Sequence, residues 1–135
     1  GICLGYQMLF DESEENGTHE GLGLIKGKVL SLKKLNANFK RVPNIGWRLL
    51  IPNNDNSSKI IQGNKSYVYF VHSFVPVVKN EKEVSSFIDF DGLKIHASVH
   101  SNNVMGYQFH PEKSGGSGLN LLKLSIEYLL NRNRT

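Results

Sequence analysis

The distribution of apolar residues along the 135-residue chain predicts many short strands between two helices. The first helix is expected over residues 4–11, directly at the start of the chain. The closing helix is expected from Ser117 to about Leu130, where apolar residues recur at helical spacing and Ser117 would be the N-cap. Residues 12–24 are polar and glycine-rich, which is typical of a loop.

Five segments carry the β-branched and aromatic residues that are typical of strands. They are residues 28–35, 67–71, 84–90, 93–99 and 104–109. The last three follow at the spacing of a β meander, with Asp91-Gly92 as the hairpin signal between the first two of them. Residues 43–47 are interpreted as a turn, and residues 52–58 as a surface loop outside the core. A chain of 135 residues is long enough to form one hydrophobic core, so one domain over residues 1–135 is expected.

Composition and charge add little that is specific. The chain has 16 Lys and Arg against 12 Asp and Glu, a net charge of +4. The basic stretch from Lys26 to Arg41 lacks alternating aromatic residues, so a solvated surface is preferred to a nucleic-acid site. The basic stretch is also compatible with an anionic partner protein or a phosphorylated ligand. One cysteine, no signal-peptide pattern and no apolar run of spanning length predict a cytoplasmic protein without membrane contact.

A candidate nucleophile lies at the start of the chain. In the segment GICLG, small residues lie two positions either side of Cys3, the pattern of a nucleophile elbow between a strand and a helix. A Cβ at Gly1 or Gly5 would be expected to collide with neighbouring backbone. The following helix is expected to lower the thiol pKa, and the Leu4 N–H to point into an oxyanion hole. A buried, unreactive cysteine beside flexible glycines is the alternative that this pentapeptide leaves open.

A base and a carboxylate follow the last predicted strand. The segment GYQFHPEKSG places His110 and Glu112 two residues apart, separated by a proline. A thiol nucleophile needs an imidazole to take and return its proton, and the imidazole needs an acceptor that fixes its tautomer. Each residue alone would be interpreted as an ordinary surface side chain, but together with Cys3 they predict a triad. A metal site is not expected, because His96 and His100 lack two further ligands.

Five separated motifs resemble those of class I (triad) glutamine amidotransferases. They are GICLGYQMLF, GLGLIKGKV, VPNIGW, YFVHS and GYQFHPEKSG, and the resemblance covers essentially the whole chain. Within the class, it points to the glutaminase subunits of imidazole glycerol phosphate synthase in histidine biosynthesis. The implied fold is α/β, a flavodoxin-like three-layer structure with a mostly parallel central sheet. The family's N-terminal half is absent, so the chain is expected to be an incomplete C-terminal portion, unstable and inactive alone.

The resemblance implies roles for individual residues. Cys3 would attack the side-chain amide of glutamine, giving a γ-glutamyl thioester and ammonia, with His110 as base and then acid and Glu112 orienting it. The positions that hold the substrate glutamine are matched by Gln7, Glu15 and Ser73. The positions that face the synthase partner, a cyclase (HisF-like) subunit in a heterodimer, are matched by Trp47, Tyr69 and Lys113. Core packing is the alternative for the two aromatic residues. No cofactor is implied.

Two residues depart from the subfamily pattern. Asn44 stands where the subfamily usually has His, and Arg48 where it usually has Asn. In the family this segment communicates between subunits, so a second hypothesis that the resemblance leaves open is a paralogous glutaminase that supplies ammonia for bacterial surface-sugar amidination. A third hypothesis is a binding module or fragment without chemistry. The presence of Cys3, His110 and Glu112 argues against the third.

Overall fold

The computed structural model describes residues 1–56, 60–61 and 65–132. Its strands are β1 (Glu12–Ser13), β2 (His19–Glu20), β3 (Gly27–Ser31), β4 (Asn44–Leu49), β5 (Ile51–Pro52), β6 (Tyr67–His72), β7 (Phe74–Val78), β8 (Val84–Phe90), β9 (Leu93–Ser101) and β10 (Val104–Tyr107). Its α-helices are α1 (Leu4–Gln7), α2 (Leu32–Leu35) and α3 (Gly115–Arg132). Two 3-10 turns lie at Glu81–Glu83 and Pro111–Lys113.

The described strands form three sheets, with the orders β2-β1-β3-β7, β10-β9-β8-β5 and β4-β6. Their pairings are antiparallel except for β1 with β3 and an isolated bridge between Ile2 and Tyr107. The mostly parallel sheet expected above is therefore not formed by these residues. The reason is local, since short connections join β8, β9 and β10, and strands joined by a tight turn run antiparallel.

The meander predicted from the sequence is confirmed in β8, β9 and β10. Asp91 and Gly92 both have positive φ, 51° and 83°, as the two central residues of a tight hairpin turn require. The Gly92 N–H also donates a hydrogen bond of 2.8 Å to the Asp89 carboxylate. This strong local signal explains why the hairpin could be predicted from sequence.

The interpretation of residues 43–47 as a turn is wrong, because Asn44–Leu49 is strand β4. It pairs over its whole length with β6, from Asn44 opposite His72 to Leu49 opposite Tyr67. Pro43 and Gly46, which has φ of 126°, gave the local turn signal. The pairing with β6 overrides that preference. Strand β7 was also not predicted, and β6 extends one residue beyond the predicted segment 67–71, to His72.

Other predicted boundaries also change. The first helix ends at Gln7 instead of residue 11. The segment predicted as one strand over residues 28–35 divides at Ser31 into β3 and α2. The Ser31 hydroxyl accepts a hydrogen bond from the Lys34 N–H and caps α2. The predicted loop 12–24 contains the short strands β1 and β2. Asn56 is buried and donates to the Lys82 carbonyl oxygen, so the segment 52–58 does contribute to the interior; its residues 57 and 58 lie outside the described ranges.

The closing helix α3 begins at Gly115, two residues before the predicted cap Ser117. Its buried residues are few, namely Gly118, Leu121 and Ser125. The predicted apolar face is largely exposed in this chain, with Leu124, Ile126 and Leu130 open to solvent. At Gly118 an added Cβ would lie 2.2 Å from the Pro111 carbonyl oxygen, so α3 approaches the Pro111–Lys113 turn closely.

Two clusters of buried side chains position the elements around Cys3. One lies around Phe70, Phe90 and Phe109. The other joins α1 to β3, β8 and β9 through Tyr6 and Phe10, whose rings meet edge to face with centroids 5.3 Å apart. Burial of one large apolar side chain contributes about 1.5–3 kcal/mol. The second cluster therefore holds α1, and with it the turn that contains Cys3, against the sheets.

Candidate active site

Cys3 lies at a sharp turn between an extended segment and α1. Its backbone angles are φ 52° and ψ −106°, in a region that residues other than glycine rarely occupy. Hydrogen bonds to Tyr107 hold the turn, since the Cys3 N–H donates to the Tyr107 carbonyl at 2.8 Å and the Tyr107 N–H donates to the Gly1 carbonyl at 2.9 Å. Strained backbone of this kind costs about 1–3 kcal/mol and is concentrated at functional sites. The geometry is that of the nucleophile elbow that the sequence predicts.

The two glycines beside Cys3 differ in their surroundings. A Cβ at Gly1 would lie 2.5 Å from the Gly5 carbonyl oxygen, so the prediction of a collision is confirmed there. A Cβ at Gly5 would meet no atom of the described residues within 4 Å, so the same prediction is wrong for Gly5. The turn itself therefore requires glycine on one side only.

The Cys3 thiol is half-buried, and this burial raises its pKa above the ordinary value. The Leu4 N–H interacts with the thiol and lowers the pKa, Glu112 and Glu15 raise it, and Lys113 lowers it. The expected net lowering by the helix is therefore wrong. Helix α1 has only four residues, and its contribution is outweighed by burial.

His110 and Glu112 form a hydrogen-bonded pair after β10. The His110 Nδ1 lies 2.5 Å from Glu112 Oε1. Since a carboxylate can only accept, Nδ1 carries the proton and Nε2 is the basic nitrogen of the neutral ring. The His110 N–H donates to the Tyr69 carbonyl at 3.0 Å, and the Ser114 hydroxyl donates to the His110 carbonyl at 2.5 Å. These contacts to β6 and to the residue before α3 fix the His110 backbone and thereby the position of its imidazole ring.

A cavity of about 220 Å³ opens beside Cys3. Its lining comes from α1, the segment after β1 and the β6–β7 junction, and consists of Cys3, Leu4, Gln7, Glu15, Val71, His72, Ser73 and Phe74. All three residues predicted to hold glutamine thus line one cavity with the predicted nucleophile. A larger neighbouring cavity of about 380 Å³ shares Leu4, Gln7 and Glu15 with it, but Cys3 is not in its lining.

The position of Glu15 is set by the end of β1. The Glu14 N–H donates to the Val29 carbonyl at 3.0 Å, and the Glu15 N–H donates to the Ser13 hydroxyl at 3.2 Å. The Glu14 carboxylate also pairs with Lys34 at 2.8 Å. An exposed pair of this kind contributes at most about 1 kcal/mol, so the backbone contacts carry most of the positioning.

Gln7 and Gln108 connect the wall of the cavity to Cys3. The Gln7 amide nitrogen donates to the Phe74 carbonyl at 2.9 Å and to Gln108 Oε1 at 3.2 Å. The Gln108 amide nitrogen lies 4.0 Å from Cys3 Sγ. Gln108 is completely buried and was missed by sequence reasoning. The sequence signal for a buried polar role was the presence of this glutamine within the apolar run that leads to His110.

His72 was assigned no role from the sequence, yet it is buried in the wall of the same cavity. Its Nε2 lies 2.9 Å from the Asn44 amide nitrogen, and its Nδ1 lies 2.8 Å from the Phe74 carbonyl oxygen. Burial chiefly lowers the pKa of His72, to about 4, and the nearby Arg48 charge also lowers it. The imidazole is therefore neutral at physiological pH.

Residues 1–127 match the family described as glutamine amidotransferase class-I. The chain belongs to this family. The resemblance seen in the sequence motifs is thereby confirmed. Among the described residues, the structure contains no group of three or more His, Cys, Asp or Glu that could hold a metal ion. Within the same ranges, no helix has the length and apolar character that crossing a membrane requires.

Curated relatives of this amidotransferase chain include imidazole glycerol phosphate synthase subunits HisH. That of Bacillus subtilis (strain 168) is 44% identical over 124 residues, which cover 90% of this chain and 58% of the relative. That of Pyrococcus furiosus is 43% identical over 125 residues, which cover 91% of this chain and 61% of the relative. The chain thus spans about 60% of the length of these relatives.

Solved structures show the same fold class. A structure from Thermoplasma acidophilum, described as a putative GMP synthase component, matches 99% of this chain and 58% of its own, with a TM-score of 0.63 and 15% identity. A structure described as a glutamine amidotransferase matches 93% of this chain and 59% of its own, with a TM-score of 0.57 and 19% identity. At these identities the similarity shows the fold alone. This chain therefore has part of an α/β fold like that of class I glutamine amidotransferases.

The residues of this amidotransferase chain that were predicted to face a partner lie on the β4-β6 pair and on the turn after His110. Trp47 is 53% exposed and lies opposite the half-buried Tyr69, with ring centroids 6.0 Å apart. Ile45 and Tyr67 are exposed on these two strands as well. Lys113 is exposed on the turn. The alternative of core burial is therefore wrong for Trp47.

Proposed function

We propose that the protein containing this chain is a glutaminase that hydrolyses the side-chain amide of glutamine to glutamate and ammonia. The observation that carries the proposal is the backbone hydrogen bond between Cys3, at its strained turn, and Tyr107. Tyr107 lies three residues before His110, which is hydrogen-bonded to Glu112. This combination provides a nucleophile, a base and an orienting carboxylate in one part of the fold.

The proposed reaction begins with attack of Cys3 Sγ on the amide carbon, while the thiol proton passes to His110 Nε2. The Leu4 N–H, which interacts with the thiol in the free chain, stabilises the oxyanion of the tetrahedral intermediate. His110 then protonates the leaving nitrogen, so ammonia departs and a γ-glutamyl thioester remains. Water attacks the thioester with its proton taken by His110, and glutamate leaves as the proton returns to sulfur. Glu112 accepts the Nδ1–H throughout.

Substrate recognition is proposed for the 220 Å³ cavity. The Glu15 carboxylate would pair with the α-ammonium group of glutamine, and Gln7 and Ser73 would hold its amino-acid end. These three residues line the same cavity as Cys3, which supports binding of one small molecule with its amide at the sulfur. The Gln7 side chain is already oriented by its contacts to Phe74 and Gln108.

The ammonia acceptor proposed for the whole protein is a cyclase-type (HisF-like) synthase subunit, in a heterodimer that makes imidazole glycerol phosphate and AICAR in histidine biosynthesis. The names of the curated relatives support this assignment. The exposed Trp47 ring, which lies 6.0 Å from the ring of the half-buried Tyr69, supports docking of a partner beside the turn that contains His110. Asn44 is buried and Arg48 is half-buried, and both lie on the side of β4 opposite to Trp47. These two departures from the subfamily pattern therefore give no support to a different partner such as a sugar-modifying enzyme.

The proposal is tested by labelling the full-length protein with a diazo-ketone analogue of glutamine, followed by peptide mass mapping. We expect one label on Cys3, which is the only cysteine in this chain. Glutamine should protect against it, and Cys3→Ala should abolish it. If Cys3 is not labelled either alone or with the candidate synthase subunit, the thioester mechanism is wrong.

A further inference from the structure

A chain of three hydrogen bonds runs from Arg48 to the wall of the candidate glutamine cavity. The Arg48 Nε–H donates to Asn44 Oδ1 at 3.0 Å. The Asn44 amide nitrogen lies 2.9 Å from His72 Nε2, and His72 Nδ1 lies 2.8 Å from the Phe74 carbonyl oxygen. Asn44 and His72 are 1% and 7% exposed, so water competes little for these contacts.

The direction of this chain is fixed by chemistry. A guanidinium group can only donate, so Asn44 must accept through Oδ1 and present its amide N–H groups to His72. His72 Nε2 must then accept, which places the single ring proton on Nδ1, where it is donated to the Phe74 carbonyl. Each group thus has the partner that its chemistry requires, and reversal at any one position would leave two donors or two acceptors facing each other.

The Phe74 carbonyl is shared between His72 and Gln7. Gln7 donates to the same oxygen at 2.9 Å, and its second amide hydrogen goes to Gln108 Oε1. Because both amide hydrogens are used, the Gln7 carbonyl oxygen is turned away from these two acceptors. A displacement of the Phe74 carbonyl would therefore change the orientation of Gln7 in the cavity beside Cys3.

We propose that His72, supported by Asn44 and Arg48, is a positioning residue that fixes Gln7 through the Phe74 carbonyl and thereby sets the affinity for glutamine. This inference rests on the proposed glutaminase function. His72 takes no part in bond making, so its loss raises KM and leaves kcat nearly unchanged. The residues of β4 that depart from the subfamily pattern thus act on the substrate cavity from within the fold.

Two substitutions of His72 separate positioning from general stability. An asparagine side-chain amide can take the place of Nδ1–H and keep the bond to Phe74, whereas a glutamine amide reaches the place of Nε2 and leaves Phe74 without that donor. Glutamine binding is measured by calorimetry on the full-length protein in a Cys3→Ala background, which prevents turnover. His100→Gln is the matched control, because His100 is also buried but contacts Asn102 and Tyr128 away from the cavity.

We expect His72→Gln to raise the Kd for glutamine about tenfold, as removal of one buried hydrogen bond does. His72→Asn should stay within about threefold of the parent, and His100→Gln should bind as the parent does. In the active enzyme, His72→Gln should raise KM by the same factor with kcat within about twofold. Should His72→Gln fail to fold, as judged by circular dichroism, Asn44→Leu tests the same chain and should raise the Kd about threefold.

The outcomes separate the two proposals. Unchanged glutamine affinity in a folded His72→Gln, or in Asn44→Leu, overturns the positioning role and leaves the glutaminase proposal standing. An equal loss of affinity in His72→Gln, His72→Asn and His100→Gln also overturns it, because the effect would then follow stability and not the bond to Phe74. If the Cys3→Ala parent binds no glutamine with or without its synthase subunit, the glutaminase proposal itself fails, and the positioning role falls with it.

Discussion

The backbone N–H of Cys3 donates a hydrogen bond of 2.8 Å to the carbonyl oxygen of Tyr107. This bond joins the start of the chain to the end of β10, three residues before His110. Two segments about a hundred residues apart in sequence thereby form one structural unit. The strained backbone of Cys3 is tolerated because this bond and the neighbouring one to Gly1 hold the segment before it, and the Gln7 N–H donates to the Cys3 carbonyl at 3.1 Å on the other side.

The asymmetry of the two glycines beside Cys3 predicts opposite effects of the same substitution. Gly1→Ala should destabilise the full-length protein by about 1–3 kcal/mol, because its Cβ would lie 2.5 Å from the Gly5 carbonyl oxygen. Gly5→Ala is the matched control and should be neutral or slightly stabilising, since alanine is the better helix former. Urea unfolding of both variants measures the difference. Equal stability of the two variants would contradict the packing described here.

The Cys3 thiol should ionise only at alkaline pH in the protein without substrate. Burial, Glu112 and Glu15 all raise its pKa, so its reaction with iodoacetamide should keep increasing above pH 9. Glu112→Gln removes one negative charge and should move this pH profile to lower values. The same variant should lose turnover, because the imidazole loses its acceptor. Faster alkylation with slower turnover would be the expected pair of results, and a profile unchanged in Glu112→Gln would contradict the assigned proximity.

Protonation of His72 should destabilise the protein in mild acid. The folded-state pKa of His72 is lowered to about 4 from the usual 6.5, so the unfolded chain binds this proton first as the pH falls. The stabilisation is therefore complete above about pH 7 and is lost progressively towards pH 4, with about 2 kcal/mol lost between pH 7 and pH 5. His72→Asn should show a correspondingly smaller loss in urea unfolding over the same range. Identical pH dependence in the two proteins would show that His72 is not neutral and buried in the folded state.

Trp47 should contribute to partner binding and not to the chemistry. Trp47→Ala should weaken binding of the synthase subunit by at least about 2 kcal/mol, or roughly thirtyfold, as loss of a central aromatic contact does. Ile51→Ala is the control, because Ile51 is also exposed but lies on β5, outside the face that contains Trp47. Surface plasmon resonance measures both affinities, and glutamine protection of Cys3 should be the same in both variants. Weakening by Ile51→Ala alone would place the partner elsewhere.

Much of the local structure could be predicted because local residues determine it. The β8–β9 hairpin has its turn residues in Asp91 and Gly92, and the nucleophile elbow has its glycine at Gly1. Strand β4 could not be predicted, because Pro43 and Gly46 favour a turn and only the distant β6 makes the segment a strand.

The electrostatics of the candidate site depend on tertiary structure in the same way. The pKa of Cys3 is raised by burial and by carboxylates that sequence position alone does not bring near it. Gln108 directly follows β10 and His72 is the last residue of β6, and both lie among apolar residues. Their hydrogen-bonding roles become visible only when the strands are assembled. Motifs predicted which residues belong to the candidate site, and the fold determines how strongly the pKa of Cys3 is perturbed.

The proposed hydrolysis of glutamine through a thioester depends on Cys3 and His110. The most direct test measures glutamate formation by the full-length protein with its candidate synthase subunit, for the wild type, Cys3→Ala and His110→Gln. We expect turnover in the wild type, and losses of at least about 10³-fold in Cys3→Ala and His110→Gln, because these residues act as one unit. Turnover that persists in Cys3→Ala would contradict the account.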